Sequence, residues 1–397
     1  MQQALLIILF IIFGFYTLLI LYYWKSWLSI PDFKLPIGPC GQTTNYKPQT
    51  RISIIIPARN EQEFIGRCLD SICNQSFPKE LFEVLVVDDH STDNTTAIIK
   101  SYESKNVKLI YLKDHIPAGE INSYKKKAIE IAIAQSTGEL IVTTDADCFA
   151  KENWLQTIAA FYEQYNPAFI AAPVSIDCSN KFIEFFQGLD FMTLQGITGA
   201  SVHKKIHSMC NGANLAYTKK AYKEVGGFAG IDNIASGDDM LLMHKIYTLH
   251  PDGVMFLKSK EAIVYTAPVN SISEFFNQRI RWASKADKYD DKRIFAVLLV
   301  VYLVNLLLLI LPITALALNT QYSIFNIQYS IWPVWLLLLT VKTITELIFL
   351  FPVSKFFGKR QMLWLFPFMQ PFHIIYTVIA GWLGKFGSYS WKERKVK

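Results

Sequence analysis

Two kinds of apolar patterning divide the chain. Residues 4–23 form an uncharged apolar run, and three more follow late, at about 294–316, 331–351 and 363–383. About 20 apolar residues are enough to span the hydrocarbon core of a bilayer. Between 25 and 293 the composition is that of a soluble domain, and short β-rich runs alternate there with helical stripes. Strands are predicted over 52–57 ("ISIIIP"), 82–89 ("FEVLVVDD"), 107–112 ("VKLIYL") and 139–144 ("ELIVTT"). Helices are predicted over 61–75, where Phe64, Ile65, Cys68, Leu69 and Ile72 share a face, from Ser91/Thr92 to Lys105, and around 123–136. Near-continuous apolar strands alternating with helices imply an α/β fold with a mainly parallel sheet. Residues 29–50, rich in Pro, Gly and Thr, read as a linker between the first apolar run and this domain.

The opening "MQQ" lacks the basic region of a signal peptide, no small-residue cleavage site follows, and "YYWKSW" has the aromatic and basic character of a membrane interface. The first run is therefore expected to be a retained anchor of an inner or plasma membrane, with a cytoplasmic domain behind it. Cys40, Cys68, Cys73, Cys148, Cys178 and Cys210 form no metal-type cluster and suit a reducing compartment. The net charge of +6 sits largely in "SKFFGKR" (354–360) and the tail 391–397, beside apolar runs, which points to lipid headgroups. No basic stripe interleaved with aromatics lies in the soluble part, which argues against nucleic acid. Three full C-terminal crossings would leave the basic tail outside, against the positive-inside tendency. Segment 363–383 contains Pro367, Gln370, Pro371 and His373, so a broken or re-entrant segment with a cytoplasmic tail is favoured over a third crossing.

In a parallel sheet, ligands bind at the carboxyl ends of the strands. Three strands here end in polar or acidic residues: 57–61 ("PARNE"), Asp88-Asp89 and Asp145-Ala146-Asp147. If the fourth strand continues through them, Asp145 and Asp147 point the same way. Two carboxylates without His or Cys suit Mg²⁺ or Mn²⁺, with water and a substrate phosphate completing the shell. A plain turn is the alternative, since aspartate is common there. The second acidic pair, Asp238-Asp239 in "SGDDMLL" (236–242), suits a helix N-cap, a carboxylate general base, or both.

Segment 271–285, "SISEFFNQRIRWASK", reads as an amphipathic interfacial helix with Gln278, Arg281 and Trp282 offering an amide, a guanidinium and a stacking surface. "HKKIH" (203–207) has two histidines at helical spacing but no zinc-protease glutamate, and reads as surface or packing. Lys342 and Glu346 lie one helical turn apart in an apolar run, as an intramembrane ion pair or polar contact or, alternatively, nearer the interface.

Six stretches in order, "SIIIPARNE", "VLVVDDHSTDNT", "KKKAIEIAIAQSTGELIVTTDADC", "NGANLAYTKKAYKEVGGF", "GDDMLL" and "QRIRW", resemble the membrane-bound family 2 glycosyltransferases. That group contains poly-N-acetylglucosamine, hyaluronan and cellulose synthases and ceramide glucosyltransferase. The resemblance covers about 51–285. It implies a Rossmann-like GT-A domain over 51–270, an interfacial helix over 271–293, a membrane region over 294–390, and one N-terminal plus two to three C-terminal transmembrane helices. It also implies that Pro57, Arg59, Glu61 and Asp89 line the nucleotide pocket, with Asp89 favouring uracil, and that Lys125 faces the nucleotide or diphosphate. Asp145 would approach the ribose or sugar and share a Mg²⁺ or Mn²⁺ with Asp147. Asp239, beside Asp238, would be the catalytic base, with Gln278, Arg281 and Trp282 near acceptor and diphosphate.

The implied reaction is a single inverting displacement from a UDP-sugar to a lipid or growing polysaccharide, with an accessory export subunit as a further partner. The sequence departs from the family at Asp238, which stands for a glutamate, at "RWASK", which lacks a glycine after Arg-Trp, and at Glu130, where many members have Asn. These departures blur donor and acceptor. Nucleotidyl transfer and a non-catalytic scaffold are the rival readings. A dehydrogenase is disfavoured because "PARNE" stands where a Gly-x-Gly-x-x-Gly would follow the first strand.

Overall fold

The computed structural model describes residues 2–35, 46–117, 123–179, 181–234, 237–285, 291–318, 321–324, 327–387, 389–391 and 394–396. Residues 36–45 of the expected linker, which include Cys40, and also Ser236 and part of the tail lie outside these residues. In chain order the elements are α1 (Gln2–Ser29), β1 (Ile52–Ala58), α2 (Ile65–Cys73), β2 (Phe82–Asp88), α3 (Thr95–Lys100), β3 (Val107–Tyr111), α4 (Tyr124–Gln135) and β4 (Leu140–Thr143). Then come β5 (Cys148–Ala150), α5 (Trp154–Tyr165), β6 (Phe169–Ala171), β7 (Val174–Ile176), α6 (Phe182–His203), β8 (Leu215–Thr218), α7 (Lys219–Glu224), α8 (Met240–Leu249), β9 (Val254–Phe256) and β10 (Val264–Thr266). The chain closes with α9 (Ile272–Ala283), α10 (Lys292–Leu318), α11 (Ile331–Phe357) and α12 (Phe366–Phe386). They form two compact units: a sheet unit, Ile30–Cys178 with Ser201–Pro268, and a helical unit, Met1–Ser29, Ser179–Ala200 and Val269–Lys397.

In the sheet unit a seven-stranded sheet has the order β3-β2-β1-β4-β8-β6-β9. The β3-β2-β1-β4 half is parallel, and β8 runs antiparallel to both β4 and β6. Ile54, Ile55, Ile56 and Val84 to Val87 are fully buried, so both faces of β1 and β2 are covered and the strands read as unbroken apolar runs. From β1 the chain steps outward to β2 and β3, then returns across them through α4 to β4 on the other side of β1. Adjacent strands whose connections depart in opposite directions make a topological switch point, where a crevice opens at the carboxyl ends. Here the carboxyl ends of β1 and β4 flank it. A smaller sheet, β5-β10-β7, lies beyond β4 in the chain.

The second predicted helix begins later than expected, at Thr95 after the Asn94 cap. Ser91, Thr92 and Asp93 are instead spent on the loop after β1: Ser91 Oγ accepts from Asn60 N–H at 3.0 Å, Thr92 N–H donates to Asn60 Oδ1 at 2.9 Å, and Asp93 accepts from Gln62 N–H at 3.2 Å. Polar side chains that compete for local backbone groups favour turns over helix interiors.

In the helical unit, α1, α10, α11 and the segment Arg360–Phe386 are long and apolar enough to cross a membrane, one N-terminal and three C-terminal. Segment 363–383 runs from the end of a 3-10 turn, Arg360–Leu365, into α12, which is helical from Phe366 onward. Pro367 sits in the first turn of α12, where no helical donor is lost, so only Pro371 removes a hydrogen bond and the helix runs on to Phe386. Lys342 and Glu346 are the buried ion pair, at 2.8 Å. Gln370 Oε1 accepts from Lys342 at 2.7 Å, Gln370 Nε2 donates to Glu346 at 2.6 Å, and the Tyr16 hydroxyl donates to Glu346, so one polar network ties α1, α11 and α12. Gly384 of α12 lies so close to Ala283 of α9 that a Cβ would fall 2.7 Å from the Ala283 Cβ.

Candidate active site

The loops that leave β1 and β2 are laced together at the sheet edge. Pro57 lies in β1 opposite Val87 of β2. Arg59 NH1 donates to the Asp89 carbonyl at 2.8 Å, and Asp89 N–H donates to Ala58 O at 2.8 Å. The Asp89 carboxylate is buried, 3.1 Å from His90 Nδ1 and 3.9 Å from Arg59 NH1. Glu61 N–H donates to Thr95 Oγ1 at 2.7 Å, while its carbonyl accepts from Phe64 and Ile65 at the start of α2. Arg59, Glu61 and Asp89 thus belong to one pair of interlocked loops, and Pro57 lies at the end of β1 that leads into them.

A common face for Asp145 and Asp147 required the fourth strand to continue through them, with a turn as the alternative. The strand instead stops at Thr143, and Cys148 N–H donates to Asp145 O at 3.1 Å, which closes a turn between β4 and β5. Four residues turning between two sheets cannot keep the period-two register. Around the turn, the Cys148 thiol donates to Asp147 Oδ1 at 3.2 Å and the Thr266 hydroxyl to Oδ2 at 3.4 Å, and the Cys68 thiol approaches Asp145 O at 3.7 Å. Burial, then the Asp147 and Asp145 carboxylates, push both thiols up and keep them protonated.

Lys125, in the first turn of α4, joins the two acidic motifs. Its Nζ is 2.7 Å from Asp145 Oδ1 and 3.2 Å from Asp238 Oδ2. Burial alone would push this ammonium down, but Asp145, Asp238 and Asp239 outweigh it and hold it above the ordinary lysine range. Asp239 caps α8, accepting from Met240 N–H at 2.7 Å through Oδ1, and accepts from Gly212 N–H at 3.1 Å through Oδ2. The cap expected at Asp239 is thus present.

Gly212 escaped the sequence reading as an individual residue. A Cβ there would sit 3.2 Å from Lys125 Nζ and 3.3 Å from Asp238 Oδ2. The signal was its place in "NGANLAY", between a turn-forming Asn and the strand β8. Asn214, two residues on, is wholly buried and donates to the Pro173 and Ala262 carbonyls at 2.8 and 2.7 Å, which pins the start of β8.

Among the described residues no group of three or more His, Cys, Asp and Glu could hold a metal by itself. What is present is an oxygen-only pair on a turn, with Asp147 partly exposed. Such a donor set fits a hard cation that keeps water and substrate oxygens in its shell.

Gln278, Arg281 and Trp282 lie on α9 in the helical unit, behind an N-cap in which Ser271 Oγ accepts from Glu274 N–H at 3.1 Å. Arg279, between them, went unremarked in the sequence, as did Asp190 of α6, its buried partner at 2.5 Å. A lone carboxylate in the apolar stretch "FFQGLDFMTLQG" was the available signal. "HKKIH" does not keep helical spacing, because α6 ends at His203 and Lys205 has a φ of 54°. His207 is buried, with Nε2 3.1 Å from Ser201 Oγ, in keeping with a packing residue.

Residues 53–226 match the family model Glycosyl transferase family 2, and 140–351, more than half of the chain, match Glycosyl transferase family group 2. The chain belongs to the family 2 glycosyltransferases. It is 33% identical over 117 residues to the poly(ribitol-phosphate) beta-N-acetylglucosaminyltransferase TarS of Staphylococcus aureus, covering 29% of this chain and 19% of that protein. It is 26% identical over 139 residues to the beta-monoglucosyldiacylglycerol synthase of a Synechocystis strain, covering 35% and 28%. The chain therefore spans well under half the length of both relatives. Among solved structures it is similar to the mannosyltransferase PcManGT of Pyrobaculum calidifontis, in complex with GDP-Man and Mn²⁺, with a TM-score of 0.52, 18% identity, and coverage of 96% and 99%. This glycosyltransferase thus shares a GT-A fold with that enzyme, and membership of the family favours glycosyl transfer over nucleotidyl transfer or a scaffold.

Proposed function

We propose that this enzyme moves a sugar from a UDP-sugar to a lipid or a growing polysaccharide, with inversion, at the cytoplasmic face of an inner or plasma membrane. The observation that carries the reading is Lys125, whose ammonium reaches both the Asp145 turn and the Asp238-Asp239 motif at 2.7 and 3.2 Å. A cation shared by these two acidic motifs supports a reading in which a diphosphate binds beside it.

In this reading Pro57, Arg59, Glu61 and Asp89 hold the nucleoside, with Asp89 accepting from the uracil ring N–H. Bound at Asp147 and Asp145, a Mg²⁺ or Mn²⁺ would offset the charge of the diphosphate as it departs. Asp239 uses each oxygen once as an N–H acceptor, which leaves lone pairs directed elsewhere to take the acceptor hydroxyl proton. The hydroxyl oxygen then forms its bond to the anomeric carbon from the face opposite the breaking C–O bond to UDP, so an α-linked donor gives a β-glycoside. Lys125 stays charged throughout and stabilises the negative charge of the departing diphosphate. Gln278, Arg281 and Trp282 are assigned to acceptor and diphosphate on their motif. The four candidate spans and the synthase relative support an acceptor that is lipid-borne or exported, with an accessory export subunit in the latter case.

Membranes carrying the protein are incubated with a panel of labelled nucleotide sugars and the products separated by lipid extraction. The expected result is label from a UDP-sugar in a lipid or polymer fraction with release of free UDP. Release of pyrophosphate, or no label transferred from any donor, overturns the reading.

A further inference from the structure

Within the helical unit, the Arg279 side chain is bound on all sides. Its Nε and NH2 donate to Asp190 Oδ2 at 3.0 and 2.5 Å, and its NH1 donates to Gln278 Oε1 at 2.6 Å. The guanidinium carbon lies 4.5 Å from the centroid of the Phe275 ring and 4.3 Å from that of Trp282. Asp190 Oδ1 accepts from the hydroxyl of Tyr376, whose ring meets Phe275 edge-on at 5.2 Å. Arg279 and Asp190 are both buried, at 4% and 5% side-chain exposure.

A buried ion pair is a poor route to stability, because apolar residues of similar volume do as well or better; what it supplies is geometry. The geometry here acts on two neighbours. Gln278 Oε1 is taken by Arg279, so its amide nitrogen is the end left to donate. Trp282 is stacked on a guanidinium whose plane is set by its Asp190 fork. Three helices, α6, α9 and α12, each supply one member.

We propose that Asp190, Arg279 and Tyr376 form a positioning clamp that fixes Gln278 and Trp282 in the orientation in which they receive the acceptor. The clamp rests on the acceptor-side role proposed above for Gln278 and Trp282.

The test uses the full chain in phosphatidylcholine–phosphatidylglycerol nanodiscs, labelled with 5-fluorotryptophan, with the Trp282 resonance identified by its loss in Trp282→Phe. Tyr376→Phe removes one hydroxyl and Arg279→Lys keeps the charge but not the fork. Both are expected to move the Trp282 fluorine resonance while the other tryptophans stay in place. Transfer from the UDP-sugar identified by the panel should fall about 10²-fold for Arg279→Lys, and UDP affinity by calorimetry should stay within about twofold, as expected of misplacement without loss of binding.

An unmoved Trp282 resonance in both variants overturns the clamp. So does a loss of UDP affinity as large as the loss of transfer, which marks a general structural defect. Should the wild-type chain transfer no sugar at all, the functional reading fails, while the fluorine shift still decides whether the clamp orders Trp282.

Discussion

Lys125 and Asp145, 20 residues apart in sequence, meet at 2.7 Å because α4 and β4 are consecutive elements that return to the same end of the sheet. The same ammonium touches Asp238, so its removal leaves two partly desolvated carboxylates without their cation. Lys125→Met is expected to lower transfer by about 10²- to 10³-fold, the loss typical of one preorganised electrostatic contact. Initial rates at saturating donor check this. Lys125 is held above its unfolded value, so its contribution to stability is fully present below about pH 10.4 and is lost only as pH rises through the higher folded value. The difference in melting temperature between wild type and Lys125→Met should therefore be the same at neutral pH and at about pH 9.5. A difference that shrinks across that window contradicts the assignment.

Gly212 lies close against Lys125 and Asp238. In Gly212→Ala the new methyl group sits 3.2 Å from Lys125 Nζ and 3.3 Å from Asp238 Oδ2, so both must give way by a few tenths of an ångström. Transfer should drop about tenfold through misalignment while the fold holds. Circular dichroism melts beside the rate measurement separate the two; an unchanged rate shows that the contact is slack.

Asp239→Asn keeps an oxygen for the Met240 cap, since Asn caps about as well as Asp, but turns its amide NH2 toward the Gly212 N–H and offers no carboxylate to take a proton. Transfer should fall by about 10²- to 10⁴-fold, with a modest fall in melting temperature from the lost Gly212 contact. Asp147→Ala should abolish transfer and also weaken Mn²⁺ binding, read by electron paramagnetic resonance. Asp145→Ala, which removes the partner of Lys125, should be better tolerated than Asp147→Ala. Transfer at the wild-type rate in Asp147→Ala or Asp239→Asn sinks the mechanism.

Glu346→Leu leaves the wholly buried Lys342 without its carboxylate. A loss of about 3–5 kcal/mol is expected, whereas Lys342→Met combined with Glu346→Leu should recover most of it, because a buried pair and matched apolar packing differ little. Thermal denaturation in detergent measures both. If the double variant is as unstable as the single one, Gln370 and Tyr16 depend on the pair for their own satisfaction.

The strands β1 to β4, the helices between them, the four apolar helices and the acidic sheet edge were legible in the sequence, because burial on both faces and bilayer thickness each impose a local periodicity. Asp239 was legible too, since a Gly-Asp-Asp before an apolar run marks a helix start whatever lies around it. What the sequence left open was decided by contacts between distant segments. Whether Asp145 and Asp147 continued a strand depended on β5 leaving for a second sheet, and where α3 began depended on Asn60 and Gln62 claiming Ser91, Thr92 and Asp93. Arg279 and Asp190 lie 89 residues apart, and nothing in the sequence pattern pairs them. A charged residue's partner is set by through-space distance and desolvation, and neither is written in the spacing of its neighbours along the chain.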